Sequence, residues 1–165
     1  MTRPRAVLVG PPGAGKTTVG RLLAEHWGVA FRDTDADIEQ SQGKTIPEIF
    51  YDDGEDAFRT LERAAVRQAL AEHDGVLALG GGAVLADDTR ALLRDQHVVF
   101  LNVTLAPAAK RVGLARDRPV LALNPRASLH QLLEQRLPLY REVADQEIDT
   151  STASPEEVVA RIAPR

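Results

Sequence analysis
The sequence predicts an α/β protein whose parallel β-sheet is covered by helices on both faces. Short strand-like runs alternate along the chain with helical patterns, and those runs are apolar throughout instead of alternating with polar residues. Strands buried on both faces read that way. The two clearest runs also stop abruptly in glycine, at Gly10 and at Gly80, as strand ends feeding turns do.

Residues 6–9 read as the first strand. Val19, Leu22, Leu23 and His26 then fall at i, i+3, i+4 and i+7, the mark of a helix with one buried stripe. Residues 29–32 form a weaker strand ending at Asp33. Two short helices follow over 36–42 and 46–51, then a long one over 55–73 with Phe58, Leu61, Ala65 and Ala69 on one face. Residues 75–82 read as a buried strand stopped by three glycines. Residues 88–94 are helical, and 98–103 are the most β-branched strand. Pro107 fits the first turn of a helix. Residues 129–143 stay helical despite Pro138, and 147–149 are a last short strand. Ser154-Pro155-Glu156-Glu157 opens a final helix with a cap, a proline at the first position and acids in the first turn.

The chain has 165 residues, 44% apolar and 27% charged. That is one ordinary globular domain, spanning 1–165, with no composition shift or linker to divide it. It has no cysteine, which removes disulfides, thiolate nucleophiles and Cys-ligated zinc. A net charge of -4 lacks the field of a non-specific nucleic-acid binder. The apolar runs are too short to span a bilayer. The glycine-rich turn begins by Gly10, which leaves no room for a signal peptide. The expectation is a cytoplasmic protein without nucleic-acid or membrane partners.

Parallel sheets bind ligands beyond the carboxyl ends of their strands. After the first strand comes Gly10-Pro11-Pro12-Gly13-Ala14-Gly15-Lys16-Thr17, a full G-x-x-x-x-G-K-[ST] match between a strand and a helix. The glycines let backbone N–H groups converge on phosphate oxygens, and the helix N-terminus adds its positive end. Lys16 can reach the β- and γ-phosphates, and the Thr17 hydroxyl can ligate Mg²⁺. The guanine signature N-K-x-D is absent, and the strand of 76–79 ends in Gly80 rather than in a metal-binding acid. The second strand supplies Asp33-Thr34-Asp35 instead. On an extended backbone Asp33 and Asp35 would face the same way, one toward Mg²⁺ and one toward an acceptor; the alternative is a solvated turn with helix-capping acids.

Arg59 and Glu62 are i, i+3 on the long helix and can pair. Such a pair is either a surface bridge or an arginine held rigid for an anionic substrate, to which a guanidinium donates two parallel hydrogen bonds. Arg136, near Pro138 and Tyr140, is a second candidate. Gly80-Gly81-Gly82 strips one wall of side chains, either as a flexible turn or to let backbone approach a small ligand. Lys110, Arg111, Arg116 and Arg118 cluster beside Gly113 and Pro119. They form either a solvated basic loop or a lid that closes cations over transferring phosphates.

On these motifs taken in order, together with Phe58, Arg118-Pro119-Val120-Leu121 and Arg136-x-Pro138-x-Tyr140-Arg141, the chain resembles the shikimate kinase family over nearly its whole length. The resemblance implies a three-layer P-loop kinase fold with a five-stranded parallel sheet, order 2-3-1-4-5, and a mobile lid over about 112–124. It implies transfer of the γ-phosphate of ATP to the 3-hydroxyl of shikimate, on the chorismate route to aromatic amino acids, by a monomer. It assigns Gly13, Ala14, Gly15, Lys16, Thr17, Thr18, Arg111, Arg118 and Pro155 to ATP. Thr17 and Asp33 fall to Mg²⁺, and Asp35, Arg59, Gly80, Gly81, Gly82 and Arg136 to the substrate within about 33–62 and beyond. Lys16, Asp35 as general base, and Arg118 are the implied catalytic set. The family often has a basic residue shortly before the proline at 155; here the stretch is Ser151-Thr152-Ala153-Ser154. Two other readings stand beside this one: a kinase of the same fold with another acceptor, although the D-G-F-P-R element of adenylate kinases is absent, and a nucleotide-binding regulator with no acceptor.

Overall fold
The computed structural model describes residues 2–103 and 125–163, apart from the side chains of 125–129. Strand β1 (Ala6–Val9) leads through the glycine-rich turn into α1 (Lys16–Trp27). β2 (Phe31–Asp33) runs straight into α2 (Thr34–Gln42), followed by α3 (Ile46–Asp53) and α4 (Glu55–Glu72). β3 (Val76–Ala78) precedes a 3-10 turn at Ala83–Leu85 and α5 (Asp87–Leu93). β4 (Val98–Asn102), α6 (Pro125–Val143), β5 (Gln146–Asp149) and α7 (Pro155–Ile162) follow. Every strand pair is parallel, in the order β2-β3-β1-β4-β5 that the resemblance implied.

Side chains of a strand alternate between its faces, and here each face meets its own helical layer. Ala6 and Leu8 of β1, Val76 and Ala78 of β3, and Val99 and Leu101 of β4 pack with Val19 and Leu23 of α1 and with Val158, Val159 and Ile162 of α7. Val7, Val9, Leu77, Val98 and Phe100 face the other way, onto Val66 and Ala69 of α4, Leu93 of α5 and Tyr140 of α6. A smaller cluster of Ile38, Ile46, Ile49 and Phe58 ties α2, α3 and α4 into a separate wall. The caps agree with the sequence. Ser154 and Thr45 each close a reciprocal capping box with an acid three residues on, Glu157 and Glu48.

Two predicted helix faces are rotated. The buried residues of α1 are Val19, Gly20, Leu23 and Ala24, whereas His26 is exposed and Leu22 half-buried. The helix lies close on the sheet at Gly20, where a Cβ would enter the Phe31 ring and stand 3.3 Å from Leu8. A glycine carries no apolar signal, so the periodic reading settles on the neighbouring row. On α4 the buried row is Phe58, Glu62, Val66, Ala69 and Leu70, while Leu61 and Ala65 pack sideways against the small cluster. A carboxylate occupies a core-facing position there, which a pattern of apolar spacing cannot anticipate. Pro107, the basic cluster at 110–118 and the segment 112–124 lie outside the described residues.

Candidate active site
The turn after β1 is held by its own backbone. Gly15 takes a left-handed conformation (φ 93°, ψ 21°) that places it as the cap of α1, with no side chain occupying the helix N-terminus. A β-carbon is disfavoured there, so glycine at this position lets the chain swing its N–H groups inward. Lys16 opens the helix half-buried rather than lying on a solvent-facing loop. Its Nζ donates to the Gly10 carbonyl at 2.7 Å and to the Pro11 carbonyl at 3.1 Å, so the ammonium lies across the turn it follows. From the far side of the sheet, the buried Thr150 Oγ1 lies 3.0 Å from the Ala14 carbonyl.

Asp33 and Asp35 reach this region by a different route from the one predicted. Only Asp33 is extended; Asp35 lies in the first turn of α2, which begins at Thr34 rather than at residue 36. The Asp33 carboxylate accepts the Asp35 N–H at 2.8 Å and so caps the helix. Its other oxygen accepts from the Thr17 hydroxyl at 3.4 Å. Capping and proximity to the phosphate loop, posed as alternatives in the sequence, are both true of Asp33 because a carboxylate has two oxygens. Asp35 is turned by the helix into the neighbouring pocket.

That pocket lies beyond β3. It is lined by Asp35, Arg59, Glu62, Gly80, Gly81, Gly82 and Arg136, with Pro12, Phe50, Phe58 and Leu132 as apolar surface. The glycines act first by making room. A Cβ on Gly80 would stand 2.6 Å from Asp35 Oδ1 and 2.8 Å from Glu62 Oε2, and one on Gly82 would overlap the Arg59 guanidinium, with Cζ at 2.7 Å. Without them the charged side chains could not gather at the strand end.

Arg59 Nη1 donates to Glu62 Oε1 at 2.8 Å, with side chains only 18% and 4% exposed. Its other edge meets the half-exposed Glu55 at 3.3 Å. Removing one partner of such a buried pair strands the other, which costs about 3–5 kcal/mol. Arg136 is buried, and burial, with the nearby Arg59 cation, lowers its pKa while Tyr140 and Glu62 oppose the shift. A guanidinium remains charged even so. Arg59 is thus held by Glu62, and Arg136 lines the same pocket, so both guanidinium groups are placed to meet an incoming carboxylate. The Asp35 carboxylate lines the same pocket, an acceptor suited to hydroxyl groups, and the rings of Phe50 and Phe58, with centroids 4.9 Å apart, supply apolar surface.

A family model described as shikimate kinase matches residues 12–165. The chain belongs to the shikimate kinase family. A shikimate kinase of Saccharopolyspora erythraea is 62% identical over 163 residues, which cover 98% of this chain and 93% of that protein. One from Thermobifida fusca is 57% identical over 162 residues, covering 98% of this chain and 94% of the relative. Among solved structures, a shikimate kinase from Acinetobacter baumannii in complex with shikimate is 40% identical, with a TM-score of 0.92 over 98% of this chain and 91% of that one.

Of the site residues implied by the resemblance to shikimate kinases, Asp35, Arg59, Gly80–Gly82 and Arg136 line one pocket. Ala14, Gly15, Thr18 and Pro155 line a second recess with Val19, Thr150, Ala153 and Val158. Gly13, Lys16, Thr17 and Asp33 lie at or beside the turn itself. Arg111 and Arg118 fall outside the described residues. Sequence reasoning passed over Leu132 and Phe50, which carry no chemical signal, and Thr150, which carries one: it directly follows β5, where a parallel sheet of this kind presents ligand-binding residues.

Proposed function
We propose that this enzyme transfers the γ-phosphoryl group of ATP to the 3-hydroxyl of shikimate, on the route through chorismate to aromatic amino acids. The observation that carries the reading is the acceptor pocket, which gathers Arg59, Arg136 and Asp35 around Gly80–Gly82 and borders Pro12 of the phosphate turn, in a chain of this family. Shikimate is a small ring with a carboxylate on one side and hydroxyls on the other, groups that guanidinium donors and a carboxylate acceptor can receive. The Acinetobacter baumannii relative, seen in complex with shikimate, supports the same substrate.

In this reading the Gly13–Thr18 backbone and Lys16 bind the phosphates, and Ala14, Gly15, Thr18 and Pro155 border the nucleotide recess. Arg59, Arg136 and the N–H groups of Gly80–Gly82 grip the acceptor carboxylate. Asp35 orients the hydroxyl and takes its proton, which leaves late in a loose phosphoryl-transfer transition state, so no extreme basicity is required. The Thr17 hydroxyl and the Asp33 carboxylate, already in contact, fit Mg²⁺, a hard cation held by a few oxygens plus substrate phosphates. When bound, the metal supplies charge neutralisation on the phosphates. Arg111 and Arg118, with the lid over 112–124, rest on the resemblance: one stacks on adenine, and the other brings a cation to the transferring group. The enzyme in this reading is a cytoplasmic monomer with no nucleic-acid or membrane partner. None of the described helices is long and apolar enough to cross a membrane.

ATP turnover with and without shikimate tests the proposal. Turnover that rises on adding shikimate, with formation of the 3-phosphate, is expected. Slow hydrolysis indifferent to shikimate would leave a nucleotide-binding regulator, and activity confined to another small acid would move the acceptor.

A further inference from the structure
Tyr140 is one of two tyrosines in the chain and is only 1% exposed. Its ring stacks on Phe100 of β4 with centroids 4.9 Å apart. Packing alone explains the ring, but a phenylalanine would pack as well. The hydroxyl does something more. It donates to the Gly81 carbonyl at 2.5 Å, and the Arg136 cation lies beside the same peptide, with Nη1 3.5 Å from where a Cβ on Gly81 would stand. A guanidinium can only donate, and a hydroxyl has one proton. The Tyr140 proton is therefore committed to Gly81, and the Arg136 cation stands near it.

The peptide after Gly81 is a rigid trans plane, so its carbonyl and the Gly82 N–H point in opposite directions. With the carbonyl drawn inward to the buried ring, the Gly82 N–H faces outward, toward the cleft that Gly80–Gly82 line. The preceding peptide is held in a like manner, because the Gly80 carbonyl accepts from the Ala83 N–H at 3.1 Å. Among the described residues, neither the Gly81 N–H nor the Gly82 N–H has a hydrogen-bond partner. Three glycines in a row have no intrinsic preference that would keep these planes in place.

We propose that Tyr140 is a positioning residue for the acceptor. Its hydroxyl locks the Gly81–Gly82 peptide in place beside the Arg136 guanidinium, so that backbone and side-chain donors are aimed together at one carboxylate. This rests on the acceptor reading above, and wild-type binding separates the two: calorimetry that detects no shikimate bound to the wild-type enzyme overturns that reading and this one with it. With binding established, Tyr140→Phe tests the inference alone. It keeps the ring and its stacking and removes the lock. The KM for shikimate should rise about tenfold, the scale of one hydrogen bond linked to a charged group. The KM for ATP and kcat per active site should stay within about twofold, since the lock touches neither phosphate turn nor Asp35. Phe100→Leu, which disturbs the stacking and spares the hydroxyl, should lower Tm and leave the shikimate KM unchanged. An unchanged shikimate KM in Tyr140→Phe, or a loss that Phe100→Leu reproduces, would overturn the proposal. Should Tyr140→Phe fail to fold, 3-fluorotyrosine labelling of the wild-type protein gives two fluorine resonances, assigned with Tyr51→Phe. The Tyr140 resonance should shift on saturation with shikimate and not with ADP. A resonance that stays put while calorimetry records binding refutes the lock.

Discussion
The phosphate turn and the acceptor pocket lie side by side at the ends of β1 and β3, yet they are built in different ways. The turn occupies consecutive residues and is shaped by contacts short in sequence: Lys16 to Gly10 and Pro11, Ala14 to Pro11, Gly15 as the helix cap; Thr150, after β5, adds one distant contact at Ala14. The pocket draws Asp35 from α2, Arg59 and Glu62 from α4, the glycines from the end of β3, and Leu132 and Arg136 from α6. A phosphate presents the same oxygens whatever it is attached to, so one local backbone shape binds it. An acceptor has a particular size and a particular spacing of groups, and matching it takes side chains brought together from several elements. The turn is therefore the reusable half of the site and the pocket the specific half.

Variants in the two halves should fail differently. Lys16→Ala should nearly abolish transfer, by about 10³ or more, the scale of a preorganised charge on a transferring phosphoryl group. Circular dichroism should show the fold unchanged, because the two bonds lost run to carbonyls of the turn itself and not to the core. Near-normal turnover would remove the turn from the chemistry. Asp35→Asn keeps the shape and removes the charge, so kcat should fall by roughly 10²–10⁴, with shikimate binding, followed calorimetrically, weakened far less. A near-normal kcat would show that positioning suffices without a base.

Arg59→Ala should act on one ligand only. The shikimate KM should rise by the equivalent of about 2–5 kcal/mol, as when one partner of a buried charge pair is truncated, and ATP affinity should hold. Equal losses for both ligands would point to a disturbed α4. Arg59→Lys should rescue little, since an ammonium cannot make the bidentate contact. Thr150→Val is the mirror experiment on the turn. Losing the contact with the Ala14 carbonyl should raise the ATP KM by about three- to tenfold and leave the shikimate KM alone.

A further effect, confined to high pH, concerns stability. Burial pushes the Tyr140 pKa up to about 12 from an ordinary value of 10. Between those values the folded state holds a proton that the unfolded chain releases, so stability is complete below pH 10 and declines as pH rises toward 12. The slope should approach about 1.4 kcal/mol per pH unit. Chemical denaturation across that range should show it in the wild-type protein and show it diminished in Tyr140→Phe.

The same division decides how much could be read in advance. The strands, the turn and the Ser154 cap follow from neighbours a few residues apart, and they stand close to where the sequence placed them, although β3 is shorter than the 75–82 expected. The rotations of α1 and α4 could not be foreseen, because Gly20 and Glu62 face the interior for reasons held by Phe31 and Arg59. Asp35 lines the pocket, but not on the extended backbone expected, since Asp33 as a cap starts the helix one residue before it.

By itself, then, the sequence determined a doubly covered parallel sheet and a phosphate-binding turn. It also supplied a set of charged residues whose order matches one family. Apolar periodicity, glycine at special backbone angles and caps act over one or two turns of chain, where the sequence alone is the environment. Only the tertiary structure decided which arginine edge meets Glu62, that the glycines of 80–82 make room for Asp35 and Arg59, and that Tyr140 reaches Gly81. Those contacts join residues as many as 59 positions apart. A buried charge or hydroxyl is tolerated only where its partner arrives, and the partner is brought by the packing of the whole sheet and its two helical layers.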